Sequence, residues 1–277
     1  MSNLWSVRCG TVPYEAAREA QGLLRVARLS GVIPDVILAL EHPPVLTLGR
    51  RSDPSEIPMG ADWYRMQGIE VQETDRGGRV TYHGPGQLVA YPIVDLREPL
   101  GDASAQWGPD VAMRVDVVAY VRRLEQVIIE SLGVHGVGAG TVEGLTGVWT
   151  AASEAPAENA TAQSVASAVL EGELRKIASI GVHVQKGVTT HGLAVNVCND
   201  LQPFEWVVPC GIEGCRMTSL SRELAETVNV AAFASTLLER FADVEGRDAV
   251  ALTPAEVADR VAGTQALAGG AASGALP

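Results

Sequence analysis

Three stretches of the 277-residue chain carry side chains whose types and spacing could do chemistry. In Val207-Val208-Pro209-Cys210-Gly211, proline before and glycine after hold a cysteine on a sharp turn at the end of an apolar run. A nucleophile is displayed this way, and the Gly211 N–H is available to a developing oxyanion. In Lys176-Ile177-Ala178-Ser179-Ile180-Gly181-Val182-His183-Val184, strand alternation places Lys176 on one face with Ala178, Ile180, Val182 and Val184. An amine opening an apolar face loses solvation, which disfavours its charged form and suits it to passing a proton. The third stretch, Asp75-Arg76-Gly77-Gly78-Arg79-Val80-Thr81-Tyr82-His83-Gly84-Pro85-Gly86-Gln87, brackets a strand with glycine and proline. Paired glycines let backbone N–H groups approach a ligand, and Tyr82 and His83 fall where the strand ends.

A thiol needs a partner to react at neutral pH, and two remain open on these residues alone. His191 with Asn196 would make a papain-like arrangement. Lys176 would favour the thiolate electrostatically and could then serve as acid and base. Composition sharpens the second choice: of 21 basic residues only Lys176 and Lys186 are lysines. The remaining cysteines offer less. Cys198 continues the alternating run Ala194-Val195-Asn196-Val197 as an apolar filler, and Cys9 and Cys215 have no flanking features. His191, Cys198, Cys210 and Cys215 lack the closely paired ligands of a zinc site, so no metal is expected. No Walker or dinucleotide fingerprint is present.

The elements that must position these groups are a mixture. Pro13 opens a helix over residues 14–28 with Ala16, Ala20, Leu23, Leu24 and Ala27 as its apolar stripe. Residues 36–40 and 45–48 read as two strands paired across the Glu41-His42-Pro43-Pro44 turn, and 79–82 and 88–94 repeat the pattern around Gly84-Pro85-Gly86. Met113, Val117, Val121, Leu124 and Ile128 recur at helical spacing between Asp110 and Gly133. Residues 176–184, 192–198 and 206–208 read as strands. Irregular alternation of strands and helices predicts a mixed sheet with helices packed on it.

Net charge is −12, so extended nucleic acid is excluded as a partner. No apolar run is long enough to span a bilayer, the start has no signal-peptide pattern, and four cysteines make no disulfide scaffold, which together suggest a cytoplasmic protein. Residues 151–175, with eight alanines and no aromatic, are expected to form a mobile inserted loop with one helical turn near 165–174. Thr253-Pro254-Ala255-Glu256 has the cap, N1 proline and N3 glutamate of a helix start, and that helix is expected to dissolve into a disordered tail from Gly263.

Six ordered blocks, at residues 41–50, 76–87, 143–149, 176–181, 191–197 and 209–211, resemble the lipoyl(octanoyl) transferases of lipoate biosynthesis. The resemblance implies an α+β fold: a single domain with a mixed β-sheet and packed helices, similar to the biotin and lipoate protein ligases. It implies a catalytic domain over 1–245 and a C-terminal helix and tail over 246–277. The family's catalytic cysteine falls on Cys210 and its catalytic lysine on Lys176. Its acyl-substrate contacts fall on Arg76, Gly77, Gly78, Arg79, Val80, Thr81, Tyr82 and His83, on Ser179, Ile180 and Gly181, and on Gly192, Leu193 and Ala194. The activity implied is transfer of octanoyl, or lipoyl, from acyl carrier protein to a lysine of lipoyl domains through a cysteine thioester, with no cofactor. The acceptors implied are the lipoyl domains of 2-oxoacid dehydrogenase E2 subunits and the H protein of glycine cleavage. Arg50, Arg51, Arg76 and Arg79 could form a patch for acidic partners. An ATP-dependent lipoate or biotin ligase, a non-catalytic acyl-binding or lipoyl-domain-binding module, and a cysteine hydrolase using His191 are the rival readings.

Overall fold

The computed structural model describes residues 3–97, 115–151, 173–209 and 214–270. In chain order the elements are β1 (Asn3–Thr11), α1 (Tyr14–Leu29), β2 (Asp35–Glu41), β3 (Val45–Leu48), α2 (Ala61–Met66), β4 (Glu70–Glu73), β5 (Thr81–His83), β6 (Gln87–Ile93), α3 (Val117–Val134), β7 (Gly140–Val142), β8 (Leu145–Ala151), β9 (Leu174–Gln185) and β10 (Val188–Asn196). Then come α4 (Gln202–Glu205), β11 (Arg216–Met217), α5 (Leu220–Leu224), α6 (Val230–Val244), β12 (Asp248–Leu252) and α7 (Pro254–Gly270).

Two sheets result, in place of the one expected. The large sheet runs β12-β1-β2-β6-β10-β9-β8-β7, with β11 added beside β9, and the small sheet runs β4-β3-β5. The large sheet is mixed: β1 is parallel to β2 and β12, whereas β6, β10, β9 and β8 follow one another antiparallel. One face buries Ile37, Leu88, Leu193 and Val195 against Tyr120, Leu124 and Ile128 of α3 and Phe233, Leu237 and Phe241 of α6. The other buries Val36, Leu38, Val89 and Ala194 against Ala17, Leu24 and Ala27 of α1 and Val257 of α7. Strands covered on both faces lose strict alternation, which is why all nine residues of β10 are buried.

The proline-containing links send the chain from one sheet to the other. β2 and β3 do not pair, because Pro43 and Pro44 supply no N–H and lock φ, so the chain leaves the large sheet at His42 and enters the small one. Gly84-Pro85-Gly86 carries it back between β5 and β6. Helix α1 also sits in a different rotation. Its buried side is Tyr14, Ala17, Gln21, Leu24, Ala27 and Arg28, and Leu23 is 65% exposed. Polar Gln21 and Arg28 are inside because each is hydrogen-bonded there, to the His191 N–H and to Asp35.

Residues 206–208 are no strand. Pro203 starts the short helix α4, and Val207 is apolar because it packs on Leu46, Tyr64 and Tyr82. Cys198 lies past the end of β10 and is exposed, contrary to its expected place as a buried filler, since the strand ends at Asn196. The capping box Thr253–Glu256 is present at α7, which runs on to Gly270. Most of the expected loop, residues 152–172, and the tail from 271 lie outside the described residues. Among the described residues no helix is long and apolar enough to cross a membrane.

Candidate active site

A cavity of about 400 Å3 lies where the two sheets meet. Its floor is strands β6, β9 and β10, and its rim is the loop between β4 and β5 that carries Arg76-Gly77-Gly78-Arg79. The loop is laid down backbone on backbone. Gly77 N–H donates to the Val182 carbonyl at 3.1 Å, and a Cβ on Gly181 would stand 2.8 Å from the Gly77 carbonyl oxygen. A Cβ on Gly49 would meet the Gly78 oxygen at 2.5 Å. Side chains at these glycines would push the loop off the sheet, so their small size is a packing requirement before it is a ligand requirement.

Arg76 is the buried pin of that loop. Its guanidinium donates through Nε to Thr47 Oγ1 at 3.1 Å and through NH2 to the Thr47 carbonyl at 2.6 Å, and the residue is 7% exposed. It therefore cannot belong to a surface patch for acidic partners. Arg79 pairs with buried Glu56 at 2.6 Å, and Arg50 and Arg51 are exposed.

Lys176 is 2% exposed and opens onto the same cavity. Its Nζ donates to the Thr146 carbonyl at 2.9 Å and lies 5.3 Å from the Trp149 ring centroid. Gly147, at φ +119°, makes room: a Cβ there would come within 2.7 Å of Lys176 Cε and 2.5 Å of the Ala178 oxygen. From α3, buried Glu125 accepts the Gly147 N–H at 3.0 Å and holds this bend in place. The other lysine, Lys186, is exposed in the β9–β10 turn.

The wall opposite is a cluster of histidines and tyrosines. His42 Nδ1–H donates to the Val12 carbonyl at 2.6 Å, so its Nε2 accepts from the Tyr91 hydroxyl at 2.7 Å. The His83 ring stacks on Tyr14 with centroids 6.2 Å apart. His191 donates through Nε2 to Asp75 at 2.8 Å and holds a left-handed φ of 57°. Burial lowers all three imidazoles, His42 to about 4, His191 against the pull of Asp75, and His83 well below its ordinary value with His42 adding to the effect. Burial likewise raises the phenols of Tyr14 and Tyr91. The imidazoles and phenols of this wall are thus held neutral, and its charges are the Asp75 carboxylate bonded to His191 and the guanidinium of Arg76.

Of the residues singled out in the sequence, Lys176, Arg76, Gly77, Gly78, Arg79, Thr81, His83, Ser179, Ile180, Gly181, Gly192, Leu193 and Ala194 line this one cavity. Val80 and Tyr82 do not. Alternation along β5 turns them to the other side, into the small-sheet core with Leu46, Tyr64 and Phe204. Cys210 lies outside the described residues, as do 211–213. The chain on either side is anchored: Val208 N–H donates to the Glu56 carbonyl at 3.0 Å, and Thr218 N–H donates to the Lys176 carbonyl at 2.9 Å. His191 and Asn196 are not paired as a papain-like reading needs, since His191 bonds Asp75 and Asn196 bonds the Thr218 carbonyl. Sequence reasoning missed Tyr14, Tyr91, Val121 and Thr146 as lining residues. Thr146 had a signal, sitting in the 143–149 block; Tyr14 and Tyr91 had none, because the fold alone brings them together.

Residues 14–242 match the family model described as the lipoyl protein ligase A/B catalytic domain. The chain is 41% identical over 245 residues to an octanoyltransferase of Corynebacterium jeikeium, covering 86% of each, and 42% identical over 235 residues to one of Mycobacterium leprae, covering 84% of each. Among solved structures it is similar to the bipartite lipoate protein ligase of Thermoplasma acidophilum, with a TM-score of 0.63 at 15% identity over 94% of this chain and 89% of that one. A lipoate-protein ligase A bound with ATP gives 0.61 at 15% identity over 95% and 92%. The structures share the fold, a single domain of mixed sheets with packed helices. On the matched length and the identity of its relatives, the chain belongs to the octanoyltransferases within the lipoyl protein ligase A/B catalytic family.

Proposed function

We propose that this enzyme moves its octanoyl group through a thioester on Cys210, with Lys176 as the proton carrier for both half-reactions. The observation that carries the reading is a nearly inaccessible lysine opening onto a cavity of about 400 Å3 that the three glycine-containing segments line. The Cys210 thiolate attacks the octanoyl thioester on the phosphopantetheine arm of acyl carrier protein, and the Lys176 ammonium gives its proton to the departing sulfur. An acceptor lysine amine then attacks the octanoyl-enzyme. Its nitrogen bonds to the carbonyl carbon, its proton passes to neutral Lys176, and the C–S bond breaks to restore the thiolate. A thioester becomes an amide, so no ATP is consumed.

Two features support Cys210 as the sulfur. Burial pushes the Cys9 thiol up to about 11 and raises Cys198 as well, so neither is activated. The chain that returns from Cys210 pairs beside Lys176 itself, through Met217 in register on β11. We assign catalysis to residues 1–245, the acyl contacts to the three glycine-containing segments that line the cavity, and the acceptors to lipoyl domains of E2 subunits and H protein, in the cytoplasm. Exposed Arg50 and Arg51, the latter on the cavity rim, suit acidic partners.

Intact-mass measurement after mixing with octanoyl carrier protein tests this. A gain of one octanoyl group without ATP, absent in Cys210→Ala, is expected. No gain in wild type with carrier bound would overturn the thioester route, and transfer that requires ATP would place the chain with the ligases.

A further inference from the structure

His83 is held in one tautomer by a chain of hydrogen bonds whose direction is set at both ends by backbone carbonyls. Asn196 Nδ2 donates to the Thr218 carbonyl at 3.0 Å, which turns Asn196 Oδ1 the other way. Gln87 Nε2 donates to that Oδ1 at 2.9 Å and to the Tyr82 carbonyl at 3.1 Å. A carbonyl only accepts, so a flipped Asn196 would set Oδ1 against the Thr218 carbonyl and Nδ2 against the Gln87 and Asn199 donors, and a flipped Gln87 would set Oε1 against two acceptors. Gln87 Oε1 is then the atom that meets His83 Nδ1 at 2.7 Å, and the proton must sit on Nδ1. The second ring nitrogen, Nε2, carries a lone pair and has no hydrogen-bond partner among the described residues, on a side chain that is 6% exposed and lines the cavity.

We propose that Gln87 and Asn196 are positioning residues that keep the His83 Nε2 lone pair as the cavity's fixed acceptor, and that it receives an N–H of the attacking amine. The inference rests on the octanoyl transfer proposed above. An octanoyl group has no donor to offer. The amide N–H groups of a phosphopantetheine arm lie several bonds beyond the sulfur, away from the reacting carbon, whereas His83 is nearly inaccessible. The amine is the reactant that must bring an N–H to the reacting carbon. His83 orients it and takes no proton; the proton passes to Lys176 as described.

The charged and titratable groups around the ring are His42, Tyr14, Arg76 and His191, and burial keeps His83 neutral among them. Replacing Gln87 by glutamate puts a carboxylate against Nδ1, which favours the imidazolium and fills Nε2 with a proton.

Three measurements decide it. Nitrogen-15 NMR of the imidazoles in the full chain should show His83 as the neutral Nδ1–H form; an Nε2–H form overturns the inference whatever the enzyme does. Single-turnover rates with S-octanoyl-N-acetylcysteamine as donor and a lipoyl domain as acceptor give acylation and aminolysis separately. His83→Asn keeps the donor to Gln87 and deletes Nε2, and the ratio of aminolysis to acylation should fall about tenfold or more. An unchanged ratio overturns the inference. In Gln87→Glu, aminolysis should be depressed at neutral pH and recover as pH rises, and a profile coincident with wild type overturns it. Failure of the thioester route reads differently, as absence of any octanoyl adduct in wild type.

Discussion

Lys176 Nζ and the carbonyl oxygen of Thr146 are 2.9 Å apart, a bond between neighbouring strands across the bend at Gly147. The bend exists because Gly147 adopts φ +119°, a conformation that costs any residue with a Cβ. Gly147→Ala brings a methyl within 2.5 Å of the Ala178 oxygen and 2.7 Å of Lys176 Cε. It is expected to destabilise the chain by about 2 kcal/mol or more and to slow transfer by about tenfold or more. Thermal unfolding and single-turnover transfer check the two halves, and an alanine variant with native rates would show that the position of the amine is not set here.

Arg76 anchors the cavity rim through Thr47, so its size and planarity matter as well as its charge. Arg76→Lys keeps the charge and loses the fork that reaches both Thr47 oxygens. A loss of about 2–3 kcal/mol is expected from the buried acceptors left unsatisfied, with weaker binding of the acyl donor as the loop lifts from β9. Urea denaturation and the KM for donor measure these, and a lysine variant indistinguishable from wild type in both would contradict the anchoring role.

Acid should unfold this protein through its buried histidines. His42 is held at about 4, against an ordinary 6.5, and His83 and His191 are also lowered, in each case chiefly by burial. A depressed imidazole resists a proton that the unfolded chain accepts, so stability is complete above about pH 6.5 and declines as pH falls below it. For His42 alone the decline is complete below about 4 and amounts to about 3 kcal/mol. Urea midpoints taken at about pH 7.5 and about pH 5 should therefore differ, the acid one being lower. Equal midpoints would mean that the imidazoles titrate normally in the folded chain.

Asp35 is completely buried and joins distant parts of the chain: Arg28 of α1 at 2.6 Å, Arg247 ahead of β12 at 2.8 Å, and the Asp95 N–H after β6 at 3.0 Å. Asp35→Leu leaves two arginine side chains, each under 10% exposed, short of their shared anion. The expected cost is about 3 kcal/mol, because two buried guanidiniums lose their nearest carboxylate while Arg28 keeps Asp95 at 3.8 Å. None of these residues lines the cavity, so transfer per folded molecule should be unchanged. Denaturation melts alongside active-site titration separate the two, and a loss below about 1 kcal/mol would show that water reaches the cluster.

Much of the site was legible because it is built from short contiguous segments. Gly77 and Gly78 could be singled out as a pair that permits close backbone approach, Gly181 and Gly192 came only with the family resemblance, and Lys176 stood out in a chain with two lysines. What the sequence hid were relationships between faces. Leu23 looked like core on helix α1, but Gln21 and Arg28 draw the other side inward by hydrogen bonds that periodicity cannot register. Val80 and Tyr82 sat inside a cavity-forming block yet point away from the cavity, because β5 belongs to a second sheet whose existence depends on which strand each proline link reaches. The tautomer of His83 was out of reach entirely, since it depends on Thr218, far along the chain.

Ala194 offers a test of where the acyl chain lies. It faces the cavity from β10, 5% exposed, next to the glycine whose Cβ would run into the Ala90 carbonyl, so the backbone there has no room to retreat. Ala194 lies where the α1-side core meets the cavity, so in Ala194→Leu the added atoms that the packed core does not take project into the space where octanoyl is proposed to lie. Each methylene denied burial costs about 0.8 kcal/mol, or roughly fourfold in binding. A six-carbon group is two methylenes shorter and escapes about 1.6 kcal/mol of that loss, so the octanoyl-to-hexanoyl ratio of kcat/KM should fall about tenfold. A thermal melt guards against overpacking as the cause, because global destabilisation lowers both rates together. An unchanged ratio in a folded variant would place the acyl chain along another wall, against Val117 and Val121 of α3.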